Sequence, residues 1–228
     1  MAEARRVWGR WRRAVVVALV VAVAALAAPP VGVPNVSRIV VDTFERGELK
    51  GWIERQYNGR TIYRVVSEGQ NKFVMAHSQA SASALGKLVR FDPSRLSHLE
   101  WRWKIEDIID DGRQSNIEVN DHAAGVCVIF AKGLFPWQMH VINYVWANAL
   151  EKGAMTRHPS EENVRIVAVE SGRTLARRWI RERRNLAEDY RKLFGDEPPQ
   201  VVAIAIMTDT DHTGTQATAY YDDIIVRR

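Results

Sequence analysis

The sequence has a single cysteine, Cys127, so no internal disulfide can form and stability must come from packing. That thiol lies in the apolar run Gly125-Val-Cys-Val-Ile-Phe130, the setting of a buried, inert residue rather than a nucleophile. A thiolate metal site lacks its second ligand. The six histidines, His77, His98, His122, His140, His158 and His212, show no paired spacing for zinc. There is no glycine-rich phosphate loop and no Gly-x-Ser-x-Gly elbow. These absences exclude the commonest nucleotide and hydrolase motifs and a zinc site built from paired histidines or cysteines.

Long hydrophobic runs are also scarce, and the one present opens the chain. Residues 1–13 carry five arginines against Glu3, an apolar run follows from Ala14 to Ala28, and Pro29-Pro30 closes it. A positive start, about fifteen apolar residues and the small-residue site Ala25-Leu-Ala27 predict a signal peptide over 1–27. An uncleaved inner-membrane anchor is the alternative, although a spanning helix wants about twenty apolar residues. Residues 28–37 read as a linker and 38–228 as one domain. Taking the five arginines and one glutamate of residues 1–27 from the chain's 32 basic and 27 acidic residues leaves 27 against 26. The basic balance therefore belongs to the leader, and it gives no reason to expect nucleic acid as a partner.

The remaining chain consists of short alternating or apolar runs separated by Gly, Pro, Asn and Asp. Strands are predicted near 38–42, 62–67, 72–78, 84–91, 98–106, 124–131, 139–147, 163–170, 174–183, 200–208 and 216–226. One helix is predicted over Leu186–Phe194, with Asn185 as its N-cap and Gly195 as its stop. Many short strands and one short helix near the C-terminal third predict an all-β, jelly-roll-like antiparallel β-sandwich. The longest loop, 107–122, holds five acids; loops of that length inside a compact domain are usually functional or mobile.

Several constellations admit two readings. Leu99-Glu-Trp-Arg-Trp-Lys-Ile-Glu106 alternates strictly, which puts Leu99, Trp101, Trp103 and Ile105 on one face and the charges on the other. The tryptophans are core; the charged face is either a solvated surface or a groove floor. His140, Ile142, Tyr144, Trp146 and Asn148 share a strand face that can stack on a sugar or fill a core. Trp137, beside a proline, is a sugar platform or a plug for the sandwich end. Asp209-Thr-Asp-His-Thr-Gly214 is like the first half of a calcium loop but lacks the bidentate glutamate at position twelve, where Tyr220 stands. It is a hairpin loop or a cation- or ligand-facing one. Asp222 and Asp223 should point to opposite faces of the last strand. One of them, with Asp42 or Glu45 at the other chain end, is the candidate structural calcium set. Trp179 and Glu182 should likewise oppose each other on a strand made basic by Arg177, Arg178, Arg181 and Arg183.

In order along the chain, Trp101-x-Trp103-Lys104, Tyr144-Val-Trp-Ala-Asn148, Trp179-x-x-Glu182-x-Arg184-Asn185 and Asp189-Tyr-Arg-x-x-Phe-Gly195 resemble a bacterial family catalogued as domain of unknown function 3047. Met207-Thr-Asp-Thr-Asp-His-Thr-Gly214 and Ala219-Tyr-Tyr-Asp-Asp-Ile224 carry the resemblance furthest. It implies an exported, jelly-roll domain with no established activity and no catalytic residues to carry over. Where an arginine is expected to open the central strand, this chain has Gly125, so a pocket lined by that arginine would be altered here.

The leading expectation is a non-catalytic binding module for a carbohydrate or envelope glycan, in the periplasm or cell envelope. Asp209, Asp211, His212, Tyr144, Trp146 and Trp137 are its candidate contacts. No cofactor is required. A polysaccharide hydrolase or lyase is the second reading, with Glu100, Glu106, Asp121 and Asp211 as candidate acids and bases. A structural envelope protein without a small ligand is the third. Membrane contact is expected only through residues 1–28, if they are retained. What separates these readings is whether the Asp209–Gly214 loop, Tyr144, Trp146 and the 98–106 strand converge on one open groove.

Overall fold

The computed structural model describes residues 36–110, 121–133, 135 and 138–228. The segment expected to be a signal peptide, Trp137 and the middle of the 107–122 loop lie outside the described residues. Among the described residues, thirteen strands and one helix form a two-layer sandwich. They are β1 (Arg38–Asp42), β2 (Trp52–Asn58), β3 (Ile62–Glu68), β4 (Asn71–Gln79), β5 (Ala82–Phe91), β6 (His98–Ile105) and β7 (Ala124–Phe130). Then come β8 (His140–Ala147), β9 (Met155–Arg157), β10 (Val164–Ser171), β11 (Ile180–Asn185), α1 (Leu186–Phe194), β12 (Val201–Asp209) and β13 (Gln216–Arg227). Sheet one runs β11-β6-β13-β4-β3, with β1 also on β13; sheet two runs β2-β5-β12-β7-β8-β10-β9. All pairings are antiparallel except β8 with β10.

The expected all-β sandwich with one short helix is what forms. Leu99, Trp101, Trp103 and Ile105 are fully buried between the sheets. Trp101 meets Trp103 edge-on at 5.4 Å and Tyr144 of the opposing sheet at 5.6 Å, and Trp103 meets Trp146 at 5.8 Å. Aromatic pairs at such separations add to the area they remove from water, and this cluster is the centre of the core. The helix starts where Asn185 accepts from the N–H groups of Ala187 and Glu188, and it ends at Gly195, whose φ of 77° favours glycine.

Three differences from the sequence expectation have local causes. β2 and β9 went unpredicted because Trp-Ile-Glu-Arg-Gln-Tyr-Asn does not alternate cleanly and Met-Thr-Arg is too short to show a period. The expected strand over 174–183 begins only at Ile180; Arg177, at φ 63°, turns the chain before it. Asp222 and Asp223 do not oppose each other. A bulge between Asp222 and Ile225, with Asp223 at φ 49°, turns both carboxylates toward Arg102, at 2.5 and 3.1 Å.

Candidate functional site

The β12–β13 turn folds back over the start of β7. The Asp209 N–H donates to the His122 carbonyl, and the turn closes through Gly214 N–H to the Thr210 carbonyl, with Gly214 at φ 68°. Asp121, just before β7, is fully buried and organises the turn. It accepts from His212 N–H at 3.2 Å, and from both the N–H and the hydroxyl of Thr213 at 2.7 Å. Asp211 accepts from the Asn58 amide at 3.0 Å, and its other oxygen lies 2.6 Å from His212 Nδ1. Asp209 accepts from Asp211 N–H at 3.2 Å.

Three carboxyl groups at one place repel one another. Burial first, then the charges of Asp211 and Asp121, push the Asp209 carboxyl well above the usual carboxylate range. Two more imidazoles join the cluster. Burial, then the charge of His158, lowers His122 to about 3; burial, then the charge of His212, lowers His158 to about 4. Both are neutral at physiological pH, able to accept or donate a hydrogen bond without carrying charge.

The cluster continues onto the outer face of sheet two. Along β12 the residues alternate, so Ile204 and Ile206 enter the core while Ala205, Met207 and Asp209 face outward. Beside them on the same face lie Tyr57 of β2, Cys127 of β7 and Asn143 of β8; the Cys127 thiol meets Asn143 Oδ1 at 3.4 Å. Burial, then Asp209, raises Cys127 to about 12, so the thiol is inert, as its apolar run predicts. Tyr57 is raised by burial and by the charges of Cys127, Asp209 and Glu161. Gly125 opens this floor: a side-chain carbon there would stand 2.9 Å from Asn143 Oδ1. The position at which the resemblance expects arginine therefore faces this surface.

Other expected site residues go elsewhere. Tyr144 and Trp146 have no exposed surface and cannot touch a ligand. Their strand face is the core face: Tyr144 donates to Asp189 at 2.9 Å, and Trp146 donates to the Gly172 carbonyl. Glu100 and Glu106 lie on the outside of sheet one, held by Arg227 and by the Tyr220 hydroxyl, away from Asp121 and Asp211. That charged strand face is a set of ion pairs across sheet one, with Lys104 over the Tyr220 ring at 4.5 Å and Arg102 over the Trp179 ring at 5.0 Å. The calcium set is not assembled either. Lys87 Nζ already occupies Asp42 at 2.7 Å, Glu45 accepts from Lys72 N–H, and Asp222 and Asp223 are taken by Arg102.

The sequence reading missed Tyr57, His122, His158, Asn143 and Glu161. His122 and His158 are 36 positions apart, beyond any motif spacing. Tyr57 sat in an unpredicted strand.

A family model described as a protein of unknown function, DUF3047, matches residues 50–225. No curated protein matches the chain. Among solved structures, the family 11 carbohydrate-binding module of a cellulosomal cellulase of Clostridium thermocellum is similar at 11% identity and a TM-score of 0.45, over 84% of this chain and 95% of that one. The cellulose induced protein Cip1 is similar at 9% identity and a TM-score of 0.47, over 81% and 95%. A xylan-binding domain from Paenibacillus barcinonensis is similar at 12% identity and a TM-score of 0.39, over 82% and 98%. What those proteins bind is a property of those proteins.

Proposed function

This chain belongs to the DUF3047 family, whose function is not established, and we propose that it is a glycan-binding β-sandwich acting after export to the periplasm or cell envelope. The observation that supports this most is the gathering of an aromatic ring, an amide, acids and neutral imidazoles on one outward face. Tyr57, Asn143, Asp209, Asp211, His158 and His212 come from four separate segments to do so. A sugar presents an apolar face, which a phenol ring covers, and hydroxyls, which carboxyl, amide and imidazole groups bond. The acids are held by the turn's own hydrogen bonds rather than set across a groove as two opposed carboxyls, which favours binding over hydrolysis.

The test is a glycan array followed by calorimetric titration. Tyr57→Ala should weaken binding of a hit by roughly ten- to hundredfold, the loss of one stacked ring. Trp179→Ala, on the opposite sheet, should leave it unchanged. Absence of binding across acidic and neutral glycans would overturn the proposal. Cleavage of a bound glycan would move the reading to hydrolysis, with Asp209, whose carboxyl burial raises, as the candidate acid.

A further inference from the structure

Asp121, Asp211 and His212 each offer one donor atom, and these atoms all lie within 4.8 Å of one another. His212 Nδ1 is 2.6 Å from an oxygen of Asp211 and 3.4 Å from one of Asp121. Two donors on one ion, at bonds of about 2.1 Å and angles between right and tetrahedral, stand roughly 3.0–3.4 Å apart. Shifts of a few tenths of an ångström at these two contacts would reach that geometry. Among the described residues no lysine or arginine is ion-paired to Asp121, Asp209 or Asp211; the one imidazole ion-paired to them is His212, which meets Asp121 and Asp211.

A second, independent feature points to the same end of the sheet. His122, the neighbour of Asp121, is 5% exposed, and its Nδ1 has no hydrogen-bond partner. A buried polar atom without a partner is uncommon, and a bound water or ion is one way to satisfy it. Its ring lies within range of the charge of His158, which lies within range of that of His212. Three imidazoles and the carboxylates of Asp121 and Asp211 thus approach one region.

We propose that Asp121, Asp211 and His212 bind one divalent transition-metal ion, with the His122 imidazole reaching it through a bound water. The nitrogen donor selects zinc- or manganese-class ions over calcium and magnesium, which prefer all-oxygen sets. Binding replaces the contact between His212 Nδ1 and Asp211 with two bonds to the ion, so the two groups part slightly on loading. Asp211 and His212 reach the surface, which leaves the ion's remaining positions open to water or to a ligand hydroxyl. This inference goes beyond the glycan reading and stands without it.

The experiment uses the tag-free chain after chelator treatment, titrated calorimetrically with Zn²⁺, Mn²⁺ or Ca²⁺ in the absence of any glycan. One equivalent of Zn²⁺ or Mn²⁺ should bind at least ~10-fold more tightly than Ca²⁺. Asp211→Asn and His212→Ala should each weaken binding by ~10–100-fold or more, since even outer-shell partners of metal ligands have effects of that size. Both side chains reach the surface, so these variants should fold, and circular dichroism melts verify it; Asp121→Asn, at a buried position, is a secondary test. No saturable binding of either transition ion, unchanged binding in the two variants, or equally tight Ca²⁺ would overturn the assignment. Failure here leaves the glycan titration unaffected, because no glycan is present.

Discussion

Asp189→Ala should lower the unfolding free energy by about 3–5 kcal/mol, the usual cost of breaking a buried ion pair from one side. Asp189 is 3% exposed and accepts from Arg184 Nε at 2.9 Å, from Arg184 Nη2 at 2.7 Å and from the buried Tyr144 hydroxyl at 2.9 Å. One carboxylate thereby joins α1, β11 of sheet one and β8 of sheet two. Removing it strands a guanidinium and a hydroxyl that has no route to water. Tyr144→Phe deletes only one of the three bonds and should cost about 1–2 kcal/mol. Urea unfolding of both variants and of the double variant measures this. If Asp189→Ala proves no worse than Tyr144→Phe, the carboxylate is not the fastener. The arrangement also accounts for Tyr144, Arg184, Asn185 and Asp189 in the family resemblance: they fix the helix to the core.

The second large effect depends on pH. Glu182 of β11 is buried against the core, where it accepts from Trp103 Nε1 at 3.2 Å and faces Glu170 of β10, which pairs with Lys152. Burial first, then the charge of Glu170, pushes the Glu182 carboxyl up to about 7 from 4.5, against the Trp103 N–H, which lowers it. A folded value above the unfolded one means that the stabilisation is complete below about pH 4.5. It is lost as pH rises through about 7. The difference corresponds to about 3 kcal/mol between pH 4 and pH 8. Glu182→Gln retains the acceptor for Trp103 and offers Glu170 a permanent donor. It should therefore remove this pH dependence and raise the melting temperature at pH 8 by roughly 6–12 °C, with little change at pH 4. Equal shifts at both pH values would refute the assignment of this pH dependence to Glu182. The buried histidines act in the opposite sense: His122 and His158, lowered in the folded state, withdraw stability as pH falls below about 6.5. Comparing the wild type with Glu182→Gln cancels that contribution.

Much of the fold was legible because strand and helix signals are local. The alternation of Leu99 to Glu106 identified the core face of β6, since period two in a strand is fixed by backbone geometry. Asn185 and Gly195 bounded the helix because capping satisfies orphan N–H groups and needs a left-handed exit within a few residues. The same logic had nothing to say about which face of β8 meets the core. His140, Tyr144 and Trp146 suit a wet surface or a dry one, and only the packing against Trp101 and Trp103 made that face interior.

The candidate site shows the limit most clearly. The Asp209–Gly214 turn stood out in the sequence because acids, hydroxyls and a glycine are concentrated in six residues. Its partners could not be found that way. Asp121, His122, His158 and Tyr57 lie on segments far apart in the chain, joined only by sheet register and loop return. Likewise a bulge of one residue turned Asp223 to the side of Asp222, against a rule that holds only for an unbroken strand. The sequence by itself determined the short-strand all-β architecture, the inert thiol and the acidic turn, because each follows from neighbours along the chain. The tertiary structure alone decided which aromatics are core, that the calcium set is dispersed among lysines and arginines, and that acids, imidazoles and Tyr57 share one face. Those are long-range contacts, fixed by how two sheets stack and not by local preference.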